Sequence, residues 1–286
     1  MKKYLSLIKF AHSVFALPFA VIGFLLATQP GGQHFSVVKF LLMLGCMVTA
    51  RSAAMAFNRY ADRKIDARNP RTAGREIPKG IVSPRSALIF TVLNCALFIA
   101  LTWFINMICF LLSPVALVVI LGYSFAKRYT AWCHLILGLG LSLAPIGAYL
   151  VVSGRFALVP ILFSLAVITW VSGFDIIYAL PDEDFDKAER LHSMPAALGR
   201  QNAVYLSWFL HAASWGFVIL AGIVGHLGLF YWIGALFYVF LLIYQHTLVK
   251  VNDLSRLNLA FFTMNGIASV VFAAFFCADY FFRYPL

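Results

Sequence analysis

Stretches of about twenty apolar residues, each closed by a short polar break, recur from one end of this chain to the other. They fall near 12–28, 37–61, 86–104, 107–126, 132–152, 156–180, 202–225, 229–249 and 258–281. A helix of that length crosses a hydrocarbon core of roughly 30 Å. In lipid only helices and closed barrels satisfy their own backbone groups. The pattern therefore predicts an all-α polytopic membrane protein, with nine transmembrane helices bundled around a central cavity. No segment between the runs is long enough to fold alone, so residues 1–286 read as a single transmembrane domain. The first run has no small-x-small cleavage site ahead of a polar domain, and more spans follow. It reads as a span, not a removable signal.

Composition agrees: 62% of the residues are hydrophobic and the mean hydropathy is +0.88. The net charge of +11 would suit a nucleic-acid partner, but its distribution does not. Lys2, Lys3 and Lys9 precede the first span. Arg59, Arg63, Lys64, Arg68, Arg71, Arg75, Lys79 and Arg85 surround the connection from the second to the third. Lys127 and Arg128 follow the fourth, Lys187, Arg190 and Arg200 the sixth, and Lys250 and Arg256 the eighth. The alternate connections hold little beyond Lys39 and Arg155. Positive residues mark the cytoplasmic side, so the N-terminus is expected inside and the C-terminus outside. Cys46, Cys95, Cys109, Cys133 and Cys277 are dispersed in apolar segments without CxxC spacing, which predicts neither disulfides nor a zinc site.

The acidic residues change the picture. Nine of the eleven lie in two short stretches: Asp62, Asp66 and Glu76 in one, and Asp175, Asp182, Glu183, Asp184, Asp186 and Glu189 in the other. Carboxylates beside lipid cost roughly 2.5–3.5 kcal/mol at mid-helix and are functional candidates by default. Asn58, Asp62 and Asp66 are spaced four apart, which on a helix places them on one face. Asp182 and Asp186 repeat that spacing, with Asp175 two turns deeper and Tyr178 between. A row of oxygens suits Mg²⁺, a hard cation that shares carboxylates with waters and substrate phosphates. Two such rows on one membrane side, among many Arg and Lys, read as a trap for a diphosphate. Pro181 predicts that the sixth span kinks or ends as the second cluster begins.

At these residues the chain resembles the UbiA-type intramembrane prenyltransferases. Asn58, Asp62 and Asp66 match the family's N-x-x-x-D-x-x-x-D; Asp175, Tyr178, Asp182 and Asp186 match its D-x-x-Y-x-x-x-D-x-x-x-D; Tyr123, Lys127 and Arg128 match its Y-x-x-x-K-R. The family's RPIPxG appears as Arg75-Glu76-Ile77-Pro78-Lys79-Gly80, with Glu76 where proline is common, and its SLP as Ser193-Met194-Pro195. The likeness covers essentially the whole chain.

The resemblance implies transfer of a polyprenyl group from its diphosphate to an acceptor, usually aromatic. Two Mg²⁺ ions would be held by Asn58, Asp62, Asp66, Asp182 and Asp186, with Lys127, Arg128, Arg63 and Arg75 on the phosphates. Tyr123 is expected to line the substrate site. Asp175 and Tyr178 would orient the acceptor or take up its proton. The stretch 8–20 resembles members that prenylate small aromatic acids for quinones, which makes His12 and Ser13 candidates for the acceptor's carboxylate. Asn258 and Asn265 share a helix face and are expected to line the cavity. The implied partners are a polyprenyl diphosphate, a small aromatic acid of the 4-hydroxybenzoate or dihydroxynaphthoate type and the bilayer, with no nucleic acid and no obligate protein partner. The implied place is the inner cell membrane, with the site on the cytoplasmic side. Transfer to a lipid alcohol is an alternative within the class; a divalent-cation or proton-coupled transporter is the alternative outside it.

Overall fold

Four of the polar breaks supply the groups that start the next helix. The side chains of Ser36, Ser83, Asn106 and Ser193 accept hydrogen bonds from the N–H groups of Lys39, Ser86, Cys109 and Ala196, satisfying donors that a helix N-terminus leaves open. The structure, a computed structural model, describes residue 7 and residues 15–28, 33–249 and 253–284. Its helices are α1 (Leu17–Leu26), α2 (Val37–Ala61), α3 (Arg63–Arg68), α4 (Pro84–Trp103), α5 (Met107–Ala126), α6 (Cys133–Ser153), α7 (Leu158–Ala179), α8 (Glu183–Ala188), α9 (Met194–Val224), α10 (Leu229–Leu248) and α11 (Asn265–Arg283). A 3₁₀ turn, Leu180–Asp182, joins α7 to α8, and a wide π turn, Leu259–Met264, leads into α11.

Among the described residues, eight helical stretches are long and apolar enough to cross a membrane. The first run is represented by the ten residues of α1; the start expected for it lies outside the described residues. Two expected connections carry more helix than the hydropathy pattern predicts. The first contains α3, and the second contains α8 and the start of α9, which begins at Met194 rather than near 202. Ser193 caps the turn that starts at Met194, and Gly199, at φ 76° and ψ 160°, leaves helical geometry, so a kink divides that turn from the long helix that follows.

The helices run up and down. At the far end, Lys39 Nζ at the start of α2 donates to Val152 O near the end of α6 (3.2 Å), and Asn106 before α5 donates to Leu150 O (2.8 Å). Thr28 after α1 meets the Tyr280 hydroxyl of α11 (3.0 Å). The isolated Asp279 has a structural task at this end: its carboxylate accepts the N–H of Gly228 (2.8 Å), capping α10. Outer faces present stripes such as Leu111, Val115 and Val118 of α5, all exposed, as helices in contact with lipid do.

Since lipid tails are as apolar as leucine, close fit and internal polar bonds hold such helices together. α7 sits at the centre, packed against α6 and α9. Its Trp170, Phe163 and Val167 are fully buried with Phe19 of α1 and Phe272 of α11. Ser164 Oγ donates to Ser142 O (2.9 Å), Ser207 Oγ to Gly173 O (2.7 Å) and Ser214 Oγ to Ala166 O (2.8 Å). α1 is seated on α6 by Gly23, where an added Cβ would lie 2.0 Å from Pro145 O.

Candidate active site

One end of the bundle opens into a cavity of about 300 Å³, lined by the C-terminal ends of α2, α5 and α7, the start of α6, the connection after α3 and the π turn. Asn58, Asp62 and Asp66 line one wall; Asp175, Tyr178 and Asp182 line the facing wall. The walls are joined directly. Asp182 Oδ1 accepts from Asn69 Nδ2 (3.1 Å) and Arg71 Nε (3.0 Å), while a second Arg71 nitrogen bonds Oδ2. Such fork-on-carboxylate pairing sets orientation as well as attraction.

Every acid of the two motifs has a basic partner. Arg128 reaches Asp62 (3.2 Å) and also donates to Ala61 O (2.7 Å); Arg75 reaches Asp66 (2.6 Å). Asn58 Nδ2 donates to Asp62 Oδ2 (2.9 Å). Burial pushes the Asp62 carboxyl above the usual carboxylate range, and the hydrogen bond from Arg128 offsets only part of that. Burial works against the Arg71 charge, but the Asp182 carboxylate more than restores it, so this guanidinium is held above its ordinary value. Asp66 Oδ2 is buried without a hydrogen-bond partner among the described residues.

The structure separates Asp186 from the others. Pro181 sits in the 3₁₀ turn, so Asp182 and Asp186 are not successive positions on one α-helical face. Asp182 lines the cavity. Asp186 is fully buried outside its lining, paired with Lys127 Nζ (2.8 Å) and accepting from Ser193 Oγ (2.7 Å). Lys127, Arg128, Arg75 and Tyr123 all line the cavity. Arg63 does not. Its guanidinium donates to Tyr60 O (2.7 Å), lies over the Tyr60 ring, and borders a separate basic hollow with Lys64, Arg68 and Arg190. Asn265 is also outside the lining: it accepts from Trp170 Nε1 (2.9 Å) and donates to Phe261 O (2.9 Å), closing the step from π turn to α11. Ser13 and His12 lie outside the described residues.

Several lining residues went unsingled in the sequence. Asn69 and Arg71 bridge the two walls. Arg51, seven residues before Asn58 and so two turns deeper, lines the cavity with its Nε buried and unpartnered among the described residues. An arginine inside an otherwise apolar span was the available signal. His134 lines the cavity too and bonds Asp175 (Nδ1 to Oδ2, 2.7 Å). Tyr178 is stacked on Phe261 (3.9 Å between centroids) with Arg71 over its ring (4.7 Å). Deeper lining is apolar, with Phe15, Leu137, Leu141, Val171 and Phe174. Glu76, in the place where the motif commonly has proline, lies 4.0 Å from the buried Arg59.

The comparisons converge on one family. The UbiA prenyltransferase family matches residues 16–267. The 4-hydroxybenzoate octaprenyltransferase of Aeromonas salmonicida is 32% identical over 222 residues, covering 78% of this chain and 76% of that one. The enzyme of the same name from Tolumonas auensis is 29% identical over 248 residues, covering 87% and 86%. A UbiA homolog from Aeropyrum pernix superposes with a TM-score of 0.85 at 33% identity, covering 94% of this chain and 98% of that one. Another from Archaeoglobus fulgidus, solved with GPP and Mg²⁺, shares the fold with a TM-score of 0.73 at 22% identity, covering 97% and 99%. An apolar helical bundle, two facing acid walls and these matches have one reading: the chain is a membrane-embedded transferase of prenyl groups and belongs to the UbiA prenyltransferase family.

Proposed function

We propose that the protein transfers a polyprenyl group from its diphosphate to a small aromatic acid of the 4-hydroxybenzoate or dihydroxynaphthoate type. The observation that carries this is the order of charges down the cavity. On α2, Arg51 lies seven residues before Asn58, on α7 Asp175 lies seven residues before Asp182, and both line the cavity together with the apolar Phe15, Leu137, Leu141, Val171 and Phe174. A diphosphate fits the mouth, a carboxylated ring fits the level of Arg51, and an isoprenoid chain fits the apolar walls. The 4-hydroxybenzoate octaprenyltransferases similar to this chain support the same acceptor class.

The donors suit Mg²⁺: the set is all oxygen, and Asp66 Oδ2 is buried and unclaimed. Asn58, Asp62, Asp66 and Asp182 would hold two ions, joined by Asp186 only if it leaves Lys127 and Ser193. The A. fulgidus homolog, solved with GPP and Mg²⁺, supports this cofactor. When bound, the metal supplies positive charge against the departing diphosphate. Arg71, Arg75, Arg128 and Lys127 line the cavity beside their carboxylates, where they would serve as donors to phosphate oxygens. The charge that develops on the leaving group thus meets donors already in place. Allylic C–O cleavage then leaves a cation between the Tyr178 and Phe261 rings and the acceptor, and the apolar walls exclude the water that would capture it.

The site end carries most of the connections rich in Lys and Arg, which supports a cytoplasmic site and an N-terminus inside, in the inner cell membrane. The test is incubation of membranes holding the protein with aromatic acids, a lipid alcohol and prenyl diphosphates of varied length, read by mass spectrometry. Prenylated aromatic acid is the expected product. Product on the lipid alcohol alone would move the assignment to that branch.

A further inference from the structure

His134 lies in the first turn of α6, almost wholly buried, with three connections. Nδ1 is 2.7 Å from Asp175 Oδ2. Nε2 accepts the backbone N–H of Met194, the first residue of α9, at 3.3 Å. Its own carbonyl accepts from Ser172 Oγ at 3.1 Å, one turn below Asp175 on α7. The middle contact decides the tautomer. A backbone N–H can only donate, so Nε2 offers its lone pair, the ring proton sits on Nδ1, and it is given to Asp175. Asp175 therefore has one oxygen tied down. The other has no hydrogen-bond partner among the described residues, and the residue lines the cavity about two helical turns before Asp182 on α7.

Prenylation of an aromatic carbon needs a base at that depth. The allylic C–O bond breaks with its electron pair going to diphosphate, ring π electrons form the new C–C bond, and the ring carbon must then shed its proton to recover aromaticity. We propose that His134 is a positioning residue for this last step: its Nδ1–H holds the Asp175 carboxylate so that the free oxygen takes the ring proton. The inference rests on the aromatic-acid reading above. Anchoring at both ring nitrogens matters because it keeps the imidazole from turning, and with it the carboxylate that its Nδ1–H holds. Held in this way, the Asp175 carboxylate keeps its second oxygen available as a base.

A purely structural histidine would also link α6, α7 and α9, so the test must read chemistry. His134→Leu removes the donor; His134→Asn keeps an N–H near the position of Nδ1. Both are purified in detergent with thermal unfolding recorded, then assayed with saturating prenyl diphosphate and an aromatic acid, unlabelled or deuterated at the carbon that is substituted. In His134→Leu, kcat is expected to fall on the order of 10²-fold with the KM for prenyl diphosphate unchanged. A normal isotope effect should appear where the unaltered enzyme, limited by C–O cleavage, shows none. His134→Asn should recover most of the rate and lose the isotope effect. Unchanged kcat in His134→Leu would overturn the proposal. So would equal loss in both variants with no isotope effect, which is the signature of a packing role. Failure of the unaltered enzyme on every aromatic acid would overturn the acceptor reading and this role together, and is told apart by that control.

Discussion

The two acid stretches look alike in sequence and differ in space. Each ends a long helix, each has Asp-x-x-x-Asp, and each has another charged residue deeper in its helix. In the first, α2 breaks only at Asp62, the Asp66 N–H still bonds Asp62 O (2.8 Å), and both acids stay on the cavity wall. In the second, Pro181 inserts a 3₁₀ turn, and the same spacing sends Asp182 into the cavity and Asp186 into a closed pocket with Lys127 and Ser193. The deeper members differ in sign: Arg51 below the first row, Asp175 below the second. Spacing thus sets which residues can act together, while the backbone between them sets which do. The pair of rows forms one site of unlike halves rather than two copies of a metal motif.

The largest effect that separates readings of the rows is loss of an acid on the cavity wall. Asp62→Ala and Asp182→Ala should each lower prenyl transfer by at least about 10²–10³-fold, with the protein still inserted in the membrane. Near-normal rates in both would end the assignment of the facing walls. Next comes the deep pair. Arg51 lines the cavity with its Nε buried and without a hydrogen-bond partner among the described residues, so a carboxylate there gains a charged hydrogen bond worth about 1.5–3 kcal/mol. Arg51→Leu should raise the KM for an aromatic acid roughly 10–100-fold and leave that for prenyl diphosphate in place. If both rise together, Arg51 serves the diphosphate, and the depth ordering of the cavity is wrong.

Asp186 sharpens the contrast differently. Its partner Ser193 is fully buried and also caps α9, so that hydroxyl cannot turn to water when the carboxylate is lost. Asp182's partners, Asn69 and Arg71, belong to a connection that borders the open cavity and can be rehydrated there. Asp186→Ala should therefore destabilise the metal-free protein by about 2 kcal/mol, more than Asp182→Ala does, and lower turnover by releasing Lys127. Equal stability losses from the two variants would show that the 3₁₀ turn does not divide the row.

Most of the architecture was legible because lipid leaves the chain few choices: apolar runs become helices, and charge within them marks function. The 3₁₀ turn was half legible, since Pro181 announced a break but not the direction in which Asp186 would leave. Arg63 comes directly after the break at Asp62, and its guanidinium turns to the Tyr60 side, outside the cavity, a direction that the motif alone does not give. By residue count Asn265 shares a regular helix face with Asn258, whereas the π turn before it rotates α11 and turns its amide to Trp170. Arg71, Asn69 and His134 had no readable signal, because their partners lie far along the chain and only the fold brings them together.

The smallest expected effect concerns Asp62 alone. Its folded carboxyl is raised above its unfolded value by burial. A raised acid adds stability that is fully present below the ordinary carboxylate pKa of about 3.9 and is lost as pH rises through the folded value. At neutral pH, ionised Asp62 is thus a net burden on the metal-free protein, eased but not cancelled by Arg128. Asp62→Asn keeps the shape and drops the charge, so it should stabilise the metal-free protein near neutral pH by less than about 1 kcal/mol. The gain should fade on acidification, as the native group becomes neutral as well. Added Mg²⁺ and diphosphate should raise the unfolding temperature of the unaltered protein and not that of the variant, because the same charge that burdens the empty cavity is what binds its contents. A variant less stable than the unaltered protein at neutral pH would mean that Arg128 outweighs burial, making Asp62 a structural ion pair rather than a wall residue waiting for a cation.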